Sequence, residues 1–107
     1  MTRLLGWVNS TPTGPIGAII RFKDEDDAVR IANDTEFGLA SAVWTESVRR
    51  AHRMIPRIRA GTVWVNTYRP ADNARPFGGY KKSGLGRELG VNALHPYTEE
   101  KSVYLAH

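Results

Sequence analysis

Apolar positions along the chain come in short blocks, and the period within the blocks changes. Ile16–Phe22, "IGAIIRF", is a compact apolar run rich in β-branched residues, which predicts a buried strand. "KDEDDAVRIAND" follows. Asp24 suits a helix N-cap, the acids after it suit the positive end of a helix, and Ala28, Ile31 and Ala32 fall on one face. Gly38 is expected to end that unit. Leu39–Thr45, "LASAVWT", predicts a second buried strand, and Thr45 can cap a second helix with Val48, Ala51, Ile55 and Ile58 on its apolar face. Pro56 cannot donate to the carbonyl of His52, so the helix should kink or stop early there. Gly61 then closes it, and Thr62–Asn66, "TVWVN", predicts a third strand. The order β-α-β-α-β with short links predicts an α/β fold: a partial parallel sheet with right-handed crossovers, its helices covering the sheet.

The pattern changes on either side of this unit. Before it, "NSTPTGP" is turn chemistry with no apolar period. After Asn66, "TYRPADNARPFGGYKKSG" predicts a long loop, of a length that usually marks function. A short helix from about Arg87 to Leu94 and a last strand at Lys101–Leu105, "KSVYL", complete the C-terminal extension. With 107 residues, 41% hydrophobic and 24% charged, the chain reads as one globular domain with one modest core. The N-terminal apolar run, Leu4–Val8, is too short for a signal peptide, and no stretch approaches a membrane span. The expectation is a cytoplasmic protein that does not enter membranes.

The chain holds no cysteine, which removes disulfides, thiolate metal sites and cysteine nucleophiles together. His52, His95 and His107 are scattered without metal-ligand spacing. The acids Asp24–Asp27 cannot all face one point on a helix, so capping explains them better than a cation site. The net charge of +4 raises nucleic acid as a partner, with Arg49, Arg50, Arg53, Arg57 and Arg59 in one segment. Those arginines lie opposite the apolar stripe and carry no interleaved aromatics, so they read as a solvated helix face instead. The glycines of Pro76–Gly90, "PFGGYKKSGLGRELG", raise phosphate binding. Gly84 and Gly86 begin a G-x-G-x-x-G, but position 89 is Leu and the next glycine, Gly90, comes one residue late. Leu85 follows Gly84 where a Walker loop needs Lys. Neither phosphate motif is present, and tight turns are the simpler account of the glycines.

The blocks "NDTEFGLASAVWT", "RAGTVWVN", "PFGGYKKSGLGRELG" and "YTEEKSVYL" resemble, in order and spacing, the C-terminal part of the aldehyde dehydrogenase family. The resemblance runs from about Gly14 to Leu105 and divides the chain into a lead-in, residues 1–13, and a C-terminal segment of a catalytic domain, residues 14–107. Members of that family are several-fold longer and oxidise aldehydes to carboxylic acids with NAD or NADP. Their nucleophilic cysteine, general-base glutamate and dinucleotide-binding domain lie N-terminal to the segment resembled. The family also places a glutamate and an aromatic residue against the nicotinamide end of the cofactor just before Gly14–Pro15. Thr11, Pro12 and Thr13 stand there, which suggests that Met1–Thr13 is foreign to the family pattern.

The resemblance therefore implies no catalytic residue, no bound cofactor and no metal site in this chain, and no activity by the chain alone. It implies a substrate side: Phe77 matches an aromatic of the aldehyde tunnel, and Asn66 and Tyr68 match the start of the loop bordering it. With its family neighbours missing, Phe77 is expected to be largely exposed. In the family the segment matching "KSVYL" joins an oligomerisation sheet, so self-association, or association with a full-length relative, is expected. Two alternative functions stay open: an assembly partner of a full-length dehydrogenase or of itself, and a basic nucleic-acid-binding module.

Overall fold

A computed structural model describes residues 17–68, 70 and 72–107. The lead-in Met1–Thr13 and Ile16 lie outside the described residues. The chain is α/β. Helix α1 (Glu25–Asn33) leads to a two-residue strand β1 (Phe37–Gly38), then β2 (Ala40–Val43), helix α2 (Val48–Met54), β3 (Thr62–Val65) and a second two-residue strand β4 (Tyr80–Lys81). β2 and β3 pair in parallel, Ala40 opposite Thr62 through Val43 opposite Val65, across the α2 crossover. β1 and β4 pair antiparallel, Phe37 opposite Lys81 and Gly38 opposite Tyr80.

α1 forms where the sequence places it. The Asp24 side chain accepts from the amide of Asp27 at 2.9 Å, and Glu25, Asp26 and Asp27 occupy the first turn. Ala28 and Val29 are buried and Ile31 and Ala32 half-buried. α2 is capped by Ser47, not Thr45: the Ser47 hydroxyl accepts from the amide of Arg50 at 3.3 Å. The Thr45 hydroxyl accepts from the Ser47 amide and the Arg50 guanidinium instead. The helix ends at Met54, and Ile55–Arg57 continue as a 3-10 turn with Pro56 in its first turn, as the missing amide requires.

The core lies between the two helices and the parallel pair: Ala28, Val29, Val43, Met54 and Ile58, with Phe22, Ala60 and Val63 packed against it. Ala51 and Ile58 face inward as expected, but Val48 is 72% exposed and Ile55 is also outward. Met54 fills the place expected for Ile55. Neighbours on a helix point about 100° apart, so only one of the two can face the core.

Several elements differ from the sequence expectation. Gly17–Phe22 is not a strand, and Ile19 is 88% exposed. The parallel sheet thus has two strands, not three, among the described residues. An apolar run becomes a strand only where a neighbour takes up its amides and carbonyls, and no described residue pairs with this one. The same holds for Lys101–Leu105, which is irregular and exposed. The helix expected at Arg87–Leu94 is displaced: Leu89 and Gly90 have positive φ, and a 3-10 helix begins only at Val91 and runs to Tyr97. Gly38 does not end the first unit. It lies in β1, after α1 has closed at Asp34. No helix among the described residues is long and apolar enough to cross a membrane.

Candidate functional site

In open α/β sheets, ligands sit outside the carboxyl ends of the strands. Here those ends are the residues just after Val43 and Val65, and they are clamped together. Asn66 takes left-handed backbone geometry, φ 52°, which asparagine tolerates better than most residues. Its amide donates to the Val43 carbonyl at 2.9 Å, continuing the ladder one step past β3. Its side chain then grips Thr45 from both sides: Oδ1 accepts from the Thr45 amide and Nδ2 donates to the Thr45 carbonyl, each at 2.8 Å. Thr45 passes the order on, its hydroxyl accepting from the Ser47 amide at 3.2 Å and from the Arg50 guanidinium at 3.5 Å.

Tyr68 lies two residues further and is exposed. Its ring meets Trp64 edge to face, centroids 5.3 Å apart and planes at 71°. Asn66 and Tyr68 both follow the carboxyl end of β3, Asn66 bound to Thr45 and Tyr68 against Trp64. Trp64 and Thr45 belong to the same group and were missed as site residues. The alternation of β3 carried a signal for Trp64, which stands two residues before Asn66 and so shares its side of the strand.

Phe77 stands on a separate support, and no hydrogen bond or ring contact joins it to Asn66 or Tyr68 among the described residues. Its amide and carbonyl exchange bonds with those of Glu88, both at 2.7 Å, so the glycine-rich segment folds back on itself. Phe77 is half-buried, not largely exposed.

Gly84 and Gly86 take positive φ with room around them, whereas Gly78, and Gly61 beside it, serve close backbone packing. A Cβ on Gly61 would overlap the Gly78 carbonyl, and one on Gly78 would come within 2.6 Å of the Gly86 oxygen. Arg87 fills the remaining space, donating to the carbonyls of Gly79 at 3.1 Å and Gly86 at 2.6 Å, with its guanidinium 5.4 Å from the Tyr80 ring centroid. The amides of Phe77, Ser83, Gly84, Glu88 and Gly90 already donate to backbone carbonyls. A dinucleotide pyrophosphate needs free amides at the start of a helix directly after a strand. No helix starts in this loop before the 3-10 helix at Val91, so the strand-turn-helix arrangement of a dinucleotide site is not formed among the described residues.

Arg50 and Arg53 of α2, and Arg57 in the turn after it, are engaged with the acids of α1. Arg53 makes a two-pronged contact with Glu25, at 3.1 and 2.8 Å. Arg50 and Arg57 add weaker approaches at 3.5 and 3.8 Å, and Arg57 pairs with Asp26 at 2.6 Å. The Arg53 hydrogen bond holds the Glu25 carboxyl below its usual range, with the Arg50 and Arg57 charges assisting. Arg30 and the Lys23 amide do the same for Asp27. No group of three His, Cys, Asp or Glu able to hold a metal is found among the described residues.

Comparison with known proteins places this geometry. The model of the aldehyde dehydrogenase family matches residues 7–103. The chain is 52% identical over 92 residues to a putative aldehyde dehydrogenase, DhaS, of Bacillus subtilis, which covers 86% of this chain and 19% of that protein. The crystal structure of the aldehyde dehydrogenase KauB of Pseudomonas aeruginosa superposes with a TM-score of 0.78 at 51% identity, covering 80% of this chain and 17% of that one. A Staphylococcus aureus betaine aldehyde dehydrogenase, solved in complex with NAD+, superposes at 0.69 with 43% identity over 71% of this chain and 15% of that one. The chain spans about a fifth of the length of the curated relatives it matches.

Proposed function

Since the chain belongs to the aldehyde dehydrogenase family, we propose that its segment forms the substrate side of an aldehyde-oxidising active site and supplies neither the nucleophile nor the cofactor site. The reading rests above all on the Asn66–Thr45 clamp, which orders the carboxyl end of the parallel pair where ligands bind in such sheets. Asn66 and Tyr68 begin the bordering loop, and Phe77, held by its bonds to Glu88, contributes an aromatic wall.

Oxidising an aldehyde to an acid through a covalent intermediate needs a thiolate to attack the carbonyl carbon and an acceptor for the hydride that leaves. These 107 residues contain no cysteine, and the glycine loop carries no dinucleotide motif. What this chain's residues do is shape and dry the approach. The Trp64–Tyr68 pair and Phe77 present apolar faces, and Asn66 spends its side-chain amide on Thr45 and keeps the mouth rigid. The chain alone should therefore leave NAD+ and NADP+ unreduced with short and aromatic aldehydes, read at the reduced-nicotinamide absorbance. Turnover above a boiled control would overturn the assignment.

Association with a second copy or with a full-length relative is favoured by a specific observation. Val103, Tyr104 and Leu105 form an exposed apolar run with no strand partner among the described residues.

A further inference from the structure

Lys81 occupies an unusual position. It is the second residue of β4, opposite Phe37, and has left-handed backbone geometry, φ 55°. A long side chain rarely takes that geometry unless its surroundings impose it. Its ammonium turns back onto the backbone. It donates to the carbonyls of Asn33 and Thr35, both at 2.9 Å, where α1 ends. The last carbonyls of a helix have no partner within the helix and carry its negative end, so a cation there meets both needs. No acidic side chain among the described residues forms an ion pair with this ammonium. Asp34 and Arg59 are the charged groups that act on it, and burial with the Arg59 charge holds its pKa below the usual lysine range.

The two ends joined by Lys81 each control something else. On the helix side, the Asn33 side chain donates to the Arg57 carbonyl and accepts from the Arg59 amide, both at 2.8 Å, fixing the entry to β3. On the loop side, β4 follows directly on Phe77–Gly79. Around Lys81, the Lys82 amide donates to the Glu36 carbonyl and the Gly38 amide to the Ser83 hydroxyl, both at 2.9 Å. Lys81 is the side chain by which this ribbon reaches the end of α1 itself.

We propose that Lys81 is a positioning residue: its ammonium, seated on the Asn33 and Thr35 carbonyls, pins the β1–β4 ribbon to the end of α1 and so sets where the Phe77 loop stands. The significance of that loop for substrate rests on the function proposed above, but the pin does not, and it is tested without substrate or turnover. Amide hydrogen exchange of the whole chain is compared with that of Lys81→Met, which keeps the stem and removes the donor, and of Lys81→Arg, which keeps a cationic donor.

The pin predicts an about tenfold or greater loss of protection in Lys81→Met at the Phe77, Lys82 and Glu88 amides. Protection at Ala51 and Asn66 should stay unchanged, and Lys81→Arg should recover part of the loss at the loop amides. Uniform loss across all these amides, or none at the loop, would overturn it. If Lys81→Met does not fold, the ammonium protons of Lys81 in the unaltered chain decide the matter by NMR. Exchange markedly slower than at the exposed Lys101 supports the pin, and equal exchange rules it out. A pin without any effect of Phe77 on aldehydes would leave this inference standing and remove only the functional reading.

Discussion

Asn66 carries two burdens that substitutions separate. Its side chain makes both bonds to Thr45, and its backbone sits in left-handed geometry. Asn66→Ala loses the bonds and strains the backbone, whereas Asn66→Gly loses only the bonds. Urea denaturation should find the alanine variant about 1–2 kcal/mol less stable than the parent, with glycine between them. Equal loss in both would show that the left-handed geometry contributes nothing. Gly61 makes a sharper case. A methyl group there would overlap the Gly78 carbonyl, so Gly61→Ala should cost about 2–3 kcal/mol or more, since two backbone segments must part. The glycine-rich block was legible as tight turns, because no phosphate motif fitted it, and Gly84, Gly86 and Gly90 do take positive φ. Which glycine meets which carbonyl was not, because Gly61 and Gly78 come together only through the tertiary fold. Lys81 was illegible for the same reason: its partners are the carbonyls of Asn33 and Thr35, far away in sequence.

Helices α1 and α2 are joined by core and by charge, and each join has its own test. Met54 is fully buried and Val48 largely exposed. Met54→Ala should cost about 2–5 kcal/mol and Val48→Ala well under 1 kcal/mol in the same denaturation measurement. The charge join is pH-dependent. Glu25 has its carboxyl pKa lowered in the folded chain, first by the Arg53 hydrogen bond. Its contribution is thus full above the ordinary glutamate value and drains away as pH falls through the depressed one. Glu25→Gln should lower the melting temperature at neutral pH, and the gap to the parent should close on acidification below the ordinary carboxylate range. A gap that persists there would assign the effect to packing. α1 was readable in detail because cap, first-turn acids and apolar spacing all agree. Gly17–Phe22 and Lys101–Leu105 misled because strand composition reports suitability for a sheet, while a strand also needs a neighbour.

At the scale of the whole molecule, the radius of gyration is 17.9 Å, where a compact domain of this length has about 13 Å. The parallel pair has two strands, and Val103, Tyr104 and Leu105 stand exposed at the end of the chain. Light scattering coupled to size exclusion should therefore find dimers or larger species at micromolar concentration, weakened by deletion of residues 101–107. A monodisperse species near 11.9 kDa would count against association. The family was legible from four blocks in order and spacing, and the α/β class from the alternation of elements. The half-burial of Phe77 was not, because burial is a property of the tertiary fold. The central claim, that this segment shapes the aldehyde side and not the cofactor side, is tested most directly by grafting residues 14–105 into the matching position of the Pseudomonas aeruginosa relative. Steady-state kinetics of the graft are then compared with and without Phe77→Ala. The account predicts a change of about tenfold in kcat/KM that varies with the size of the aldehyde, with the KM for NAD+ unchanged. An unchanged aldehyde profile, or a shift confined to NAD+, would contradict it.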